Sequence, residues 1–445
     1  MTSLLLAATL LFFQEPGDVV VNERFKVTFV RLDVLAKDRS NALVLDLKPS
    51  DFDVRENGKK VDVSFFEVLD LRQVQEHMVL PEETVSGIPI NRESQQIIIA
   101  IDLESAQLIE TRKTFEQLYR FLDDLDLNTN SSINLYSMDR GSVTKGFSRD
   151  IGEIKATLKS LEDRHFDAIR RARDPQSSEL LLSDHDPGYQ PRTSGRGMSN
   201  LSDNESNSFF DLERALRSCK DLFGNFDSAG RSRCISDTLE TFMEEQRIRT
   251  SRVLGELELL AYKFQEEPGL KTIMLVSPGF ALHSVSSAYE LAETFMDNNG
   301  TRGASSFVGT YGKLYLEDEF QRVVHACIKN RIIFHTFDIY NGNLENHRSI
   351  GAEFQGSTRN ISSIYRNYEG DITMGLRDLA DQSGGSFNQI ATLGPAMQRT
   401  IDSNNFFYVI GYESPEGKPG KFRKIKIKSK RKGVDFQYRK GYFGN

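Results

Sequence analysis

Gln96-Ile97-Ile98-Ile99-Ala100-Ile101-Asp102 is an unbroken apolar run closed by an acid. Strict alternation would mark a strand with one wet face; an unbroken run marks a strand covered on both faces, as in a parallel sheet. A helical stripe follows, with Leu108, Phe115, Leu118, Leu122 and Leu125 on one side. Ile133 to Met138 reads as a second strand and Ser142 to Phe147 as a third that pairs with it as a hairpin. Asp150-Ile151-Gly152-Glu153 has the form of a capping box, opening a helix with Ile151, Ile154, Leu158 and Leu161 on one stripe.

Further along, helical character returns near Phe209 and strengthens over Arg249 to Phe264. Leu270 to Val276 is a second fully apolar strand, ending at Ser277-Pro278. A helix over Glu317 to Lys329 leads to a strand over Ile332 to Tyr340 that contains Asp338. A helix over Met374 to Gln382 stops at Gly384-Gly385, a C-cap signal. A short strand at Ser386 to Gln389 and a helix at Pro395 to Ile401 complete the alternation. The fold class is therefore α/β, a doubly wound and mainly parallel sheet with one antiparallel edge, over residues 95–403. Residues 172–208 and 341–370 are polar, rich in Ser, Asn and Gly, and read as surface insertions.

On either side the pattern is β. In residues 17–70, Lys26 to Ala36 is one extended run, and Asn57-Gly58 joins a second strand to a third over Lys60 to Val68. Residues 71–94 read as a linker. In residues 404–445, strands are expected at Phe406 to Tyr412, Lys421 to Lys428 and Val434 to Tyr442. Neither β segment buries a core alone, so the two are expected to form one small β domain into which the α/β domain is inserted.

The 445 residues carry 56 Lys and Arg against 64 Asp and Glu, a net charge of −8. The composition is that of a globular protein, not a collagen-like, disulfide-dense or disordered chain. Net acidity argues against a nucleic-acid partner. The charge is uneven: residues 416–445 hold eleven cations and two acids, leaving −17 on the rest. In Lys424-Ile425-Lys426-Ile427-Lys428 the isoleucines read as inward and the lysines as a solvated face or a guarded sheet edge. The sharper alternative is a basic face that docks on acidic envelope lipid or on the acidic α/β domain.

Residues 1–16 resemble a signal peptide, with the apolar core Leu4 to Phe13, about half the length a bilayer span needs. No other stretch is long and apolar enough to span a bilayer, so an exported periplasmic or extracellular protein is expected, with peripheral envelope contact at most. Of three cysteines, Cys219 and Cys234 lie 15 residues apart in one polar region and suit a single disulfide; Cys327 sits on an apolar helical stripe as a core thiol. No zinc-type spacing is present.

Several motifs together resemble one family. Asp51-Phe52-Asp53-Val54-Arg55-Glu56-Asn57-Gly58-Lys59, Gly269 to Phe280, Leu379-Ala380-Asp381-Gln382-Ser383-Gly384-Gly385, Tyr408-Val409-Ile410-Gly411-Tyr412, Gly420 to Ile427 and Arg439-Lys440-Gly441-Tyr442-Phe443 stand in the order and spacing of exported bacterial proteins of the acidobacterial type with a von Willebrand factor A (VWFA)-related domain. The resemblance covers nearly the whole chain. It implies a von Willebrand A-like sheet that binds ligands at its C-terminal edge, often through a divalent metal. That metal site takes Asp-x-Ser-x-Ser, a Thr and a later Asp, hard oxygen ligands suited to Mg²⁺. Here Glu104 and Ala106 replace the two serines, Ser277-Pro278 stands where the Asp belongs, and no Thr is assignable. The resemblance thus implies a degenerate adhesion site with no required cofactor. Asp102 and Glu104 are its only candidate metal ligands, for Mg²⁺ or another divalent cation held weakly. The plainer reading makes both solvated acids at a strand-to-helix turn, with Glu104 favouring the N-terminus of the following helix.

For enzymatic chemistry the sequence offers little. It contains no G-x-x-x-x-G-K-[ST] and no H-E-x-x-H, its first loop is not G-x-G-x-x-G, and Ser277 is outside G-x-S-x-G. His335, within an apolar strand, reads as a satisfied core histidine. The expectation is a non-enzymatic module for protein binding, in adhesion or assembly. Its surface comprises Asp102, Glu104, Ser105, Ser277 and Asp338, framed by the two insertions. The alternative is a structural subunit of the cell envelope that binds through its β domain; a hydrolase on the same fold ranks third.

Overall fold

The computed structural model describes residues 28–71, 95–106, 108–127, 131–139, 141–173, 209–223, 227–267, 269–283, 285–296, 316–339, 361–389, 392–414 and 420–444. The signal-like segment, nearly all of the linker and most of both insertions lie outside the described residues.

The chain opens with β1 (Thr28–Asp38), β2 (Phe52–Glu56), β3 (Lys59–Val61) and β4 (Phe65–Asp70). It continues with β5 (Gln95–Ile101), α1 (Leu108–Asp124), β6 (Ser131–Ser137), β7 (Gly141–Ser142) and α2 (Ile151–Arg173). Then come α3 (Phe209–Phe223), α4 (Ser228–Lys263), β8 (Lys271–Ser277), α5 (Ser286–Phe295), α6 (Glu317–Lys329) and β9 (Ile332–Asp338). Last are α7 (Ile361–Ser383), β10 (Phe387–Gln389), α8 (Leu393–Ser403), β11 (Phe406–Ser414), β12 (Phe422–Ser429), β13 (Val434–Gln437) and β14 (Gly441–Phe443).

The structure is mixed α/β. Its central sheet has the order β10-β9-β8-β5-β6-β7, with five parallel strands and β7 antiparallel at one edge. Every residue of β5 and of β8 is buried. Ile98, Ala100, Ile273, Leu275 and Phe334 join one core with α3 to α7. Ile97, Ile99, Ile101, Met274, Val276 and Phe337 join another with α1, α2 and α8. Each of these side chains except Ala100 contributes about 1.5–3 kcal/mol through its burial.

The remaining strands form two antiparallel sheets, β13-β1-β11-β4 and β14-β12-β2-β3. Asn57 and Gly58 make the β2–β3 turn at φ 48° and 84°, the left-handed values such a turn needs. In β12 the isoleucines are buried and the lysines exposed, and the strand is interior to its sheet, between β14 and β2, not an edge. Arg423 shares the inward parity of the isoleucines. It lies 3.5 Å from Glu56 Oε1, and Tyr412 and Tyr442 donate to Glu56 Oε2 at 3.0 and 2.9 Å. One buried carboxylate thereby joins strands of both sheets.

Several expectations need correction. The run from Lys60 to Val68 is two strands in different sheets, because the chain leaves β3 at Val61 to pair β4 with β11. The run from Val434 to Tyr442 likewise divides, β13 pairing with β1 and β14 with β12. The third strand shrinks to Gly141–Ser142. At α2, Asp150 caps as expected, accepting from the Gly152 and Glu153 N–H groups at 2.8 and 3.2 Å. The reciprocal half of the box is absent: the Glu153 carboxylate accepts from Ser148 Oγ at 2.6 Å. Residues 361–370 are helix, not loop, because Ile364, Tyr365 and Tyr368 bury a stripe against α3. Helix α5 was not expected at all.

Candidate functional site

Strands β5, β8 and β9 are neighbours, and their C-terminal ends place Asp102, Ser277 and Asp338 side by side. Ser277 is opposite Asp338 in the β8–β9 register, and the Asp102 N–H donates to the Val276 carbonyl at 2.9 Å. This brings together three of the five sequence-derived site residues. Asp102 is only 2% exposed and Asp338 3%. Asp102 is therefore not the solvated acid expected from the sequence. Its Oδ2 accepts from Ser277 Oγ at 2.8 Å, and its Oδ1 accepts from the Ser105 backbone N–H at 3.1 Å. Ser277 Oγ in turn accepts from the Gly279 N–H at 3.1 Å. Burial pushes the Asp102 carboxyl above its ordinary range, against the opposing pull of the Ser277 and Ser105 hydrogen bonds and the more distant Arg249 charge.

Glu104 is turned elsewhere. Its exposed carboxylate pairs with Arg252 of α4, a surface contact worth at most about 1 kcal/mol. Ser105 participates through its backbone, half-buried beside Asp102. The donor set does not fit a metal. Both Asp102 oxygens are engaged, Glu104 is held by a guanidinium, and no group of three or more His, Cys, Asp or Glu among the described residues is placed to hold an ion.

Beside this edge stands a helical projection that the sequence did not reveal. Asn330, just before β9, donates to the Ala261 carbonyl at 3.0 Å, while Thr250 Oγ1 donates to the Ala281 carbonyl just beyond β8 at 3.0 Å. The twelve residues of α4 from Thr250 to Ala261 thus span the sheet from base to top. The 23 residues from Ser228 to Thr250 extend past it by about 33 Å. Helix α3 packs along this extension, joined to α4 by the Cys219–Cys234 disulfide, with 5.7 Å between Cα atoms. The N-terminal half of α7 completes the projection. Phe209 stacks on Tyr368 with ring centroids 4.2 Å apart, and the Tyr365 hydroxyl donates to the buried Glu213 carboxylate.

Helix α7 also brings two acids that the sequence reading missed. Glu369 accepts from Gln389 Nε2 at 3.1 Å, and Gln389 is opposite Asp338 in the β9–β10 register. Asp371 caps α5, accepting from the Ser287 N–H at 3.0 Å and its hydroxyl at 2.8 Å. Burial raises both carboxyls. The spacing of Ile364, Tyr365, Tyr368 and Ile372 was the signal for this helix; the Asn and Ser content of the preceding stretch masked it.

His335 is a core residue. It is 2% exposed. Its Nδ1 lies 2.8 Å from Ser386 Oγ and its Nε2 2.9 Å from the Asn404 side-chain amide. Burial pushes the Cys327 thiol well up and keeps it protonated. No helix among the described residues is long and apolar enough to cross a membrane. No family model matches the chain, and no curated protein matches it.

Proposed function

We propose that the chain is a non-enzymatic protein-binding module of von Willebrand A type, acting in adhesion or assembly outside the cytoplasm. The observation that carries this reading is the C-terminal edge of the parallel sheet. There the Asp102 carboxylate is occupied by Ser277 and Ser105, and a tall helical wall borders the exposed Glu104–Arg252 pair. The strand order, with a single antiparallel strand next to the second strand, supports the family resemblance. An edge with its central carboxylate engaged by hydroxyl and amide donors suits recognition through surface contacts, not through a shared metal ion.

The surroundings of Ser277 and His335 favour binding over hydrolysis. The Ser277 hydroxyl is directed at a carboxylate, and both His335 ring nitrogens face Ser386 and Asn404. The disulfide between Cys219 and Cys234 supports an oxidising compartment.

The test is capture of envelope proteins on the immobilised chain, compared with the double variant Glu104→Arg/Ser105→Arg, with and without chelator. Binding that is lost in the variant and indifferent to chelator is the expected outcome. Binding that needs Mg²⁺, or that ignores the edge substitutions, overturns the reading.

A further inference from the structure

A second concave feature lies at the other end of the parallel sheet, where the base of β8 and β9 meets β1 and the C-terminal strands. It is a cleft of about 270 Å³. Its lining carries four cations, Arg31, Lys329, Arg331 and Arg439, and one carboxylate, Asp33. Asp33 Oδ1 is 3.6 Å from Arg31 Nε, and its Oδ2 is 3.2 Å from Arg331 Nη2. Phe29 and Phe443 add apolar lining to the same cleft.

Two features go beyond what holding the domains together requires. Arg439 donates through Nη2 to the Arg31 carbonyl at 2.7 Å and through Nη1 to the Ile328 carbonyl at 3.4 Å. Its Nε–H is buried and has no acceptor. A buried guanidinium donor without an acceptor is costly and is expected to be met by a bound anion or water. Burial also works against its charge, lowering its pKa from the ordinary guanidinium value. Second, Arg331 has a φ of 53°, one residue past Asn330, the C-cap of α6, where Gly or Asn is the usual occupant. A strained arginine held at the mouth of a cleft is a pattern associated with ligand sites.

We propose that this cleft binds a small organic carboxylate with an apolar body. The carboxylate would accept from the guanidinium groups of Arg439 and Arg331 that line the cleft, and the apolar part would lie against Phe29 and Phe443. This chemistry is shared by a free carboxylic acid and by the C-terminal residue of a peptide. The site is at the opposite end of the sheet from Asp102 and does not depend on the sheet-edge reading.

The probes are 3-phenylpropionate, its amide, N-acetyl-Gly-Gly-Phe, the same peptide amidated, and inorganic phosphate, each titrated calorimetrically into the full chain. A free acid is expected to bind at least tenfold more tightly than its amide. Binding by the free-acid peptide supports a peptide terminus as the source; binding by 3-phenylpropionate alone supports a free acid. Arg439→Met is expected to abolish binding. Because Arg439 also bonds two backbone carbonyls, Arg331→Gly is the companion variant. Glycine is at ease at that φ, so this variant keeps its fold and is expected to weaken binding at least fivefold. Equal affinity for acid and amide, phosphate binding without phenylpropionate binding, or unchanged affinity in Arg331→Gly overturns the proposal.

Discussion

Acidification should destabilise this protein through His335, by an amount the structure fixes. The ring is sealed in β9, and the Ser386 backbone N–H points at Nδ1 from 3.2 Å. A proton on that nitrogen would set donor against donor. Burial first, and the Lys37 ammonium second, push the imidazole down to about 3. In the unfolded chain the same ring titrates near 6.5. A base whose pKa falls on folding contributes stability that is complete above the unfolded value. That stability is lost as pH drops toward the folded value. At about pH 5 the native ring is still neutral while the unfolded ring is charged. The loss is then roughly 2 kcal/mol, from about 1.5 pH units at 1.36 kcal/mol each. Urea unfolding at about pH 7.5 and about pH 5, on wild type and His335→Gln, isolates this contribution. Glutamine keeps an amide in the pocket and cannot titrate. Asp102, Glu369 and Asp371, whose carboxyls burial raises, titrate alike in both proteins and cancel in the difference. Wild type should lose roughly 2 kcal/mol more than the variant over this interval. Equal losses would refute the buried, uncharged histidine.

Three further outcomes are expected. Gly385→Ala would place a Cβ 1.8 Å from the Phe334 carbonyl oxygen; a loss of about 3 kcal/mol is expected by thermal or urea unfolding, and a neutral effect would contradict the close packing of α7's end on β9. Ser277→Ala removes a donor from the buried Asp102 carboxylate and should cost about 1–3 kcal/mol in the same assay. In denaturant without reductant the chain should expose one titratable thiol, Cys327, and after reduction three; the Cys219→Ser/Cys234→Ser pair should lower stability by about 3 kcal/mol for its short loop.

The parallel sheet was legible because burial on both faces makes the middles of β5 and β8 continuous apolar runs, Ile97 to Ile101 and Ile273 to Val276, with polar residues confined to the strand ends. The Asn57-Gly58 turn was legible because few residues accept positive φ. Pairing partners were harder. Lys60 to Val68 reads as one strand, and only the competing pull of β11 on Phe65 and Phe66 divides it. At the site, Asp102, Ser277 and Asp338 could be placed from strand ends, since neighbouring parallel strands finish at one edge. That Asp102 is buried could not be read, because the hydroxyl that engages its carboxylate, on Ser277, lies 175 residues away in the chain. Arg423 has the same parity as Ile425 and Ile427 and so is inward, but the sequence gives no sign of what meets its charge. Its partner Glu56 lies 367 residues earlier, a distance no local pattern bridges.

The pairing of β1 and β4 with β11 and of β2 with β12 has a consequence in time. Among the four N-terminal strands, only β2 and β3 pair with each other; β4 waits for residues about 340 positions downstream and β1 for residues about 380 downstream. At a synthesis rate of about 5–20 residues per second, that wait is on the order of 20–70 s. Through this interval the first strands to emerge carry open edges and an apolar face with nothing to cover them. The intervening α/β unit, whose contacts are all younger, has time to fold first. Closure of the β layer would then be the last event, completed only when the final forty residues arrive. A chain truncated before β11 should therefore retain the parallel sheet while leaving β1 and β4 unpaired.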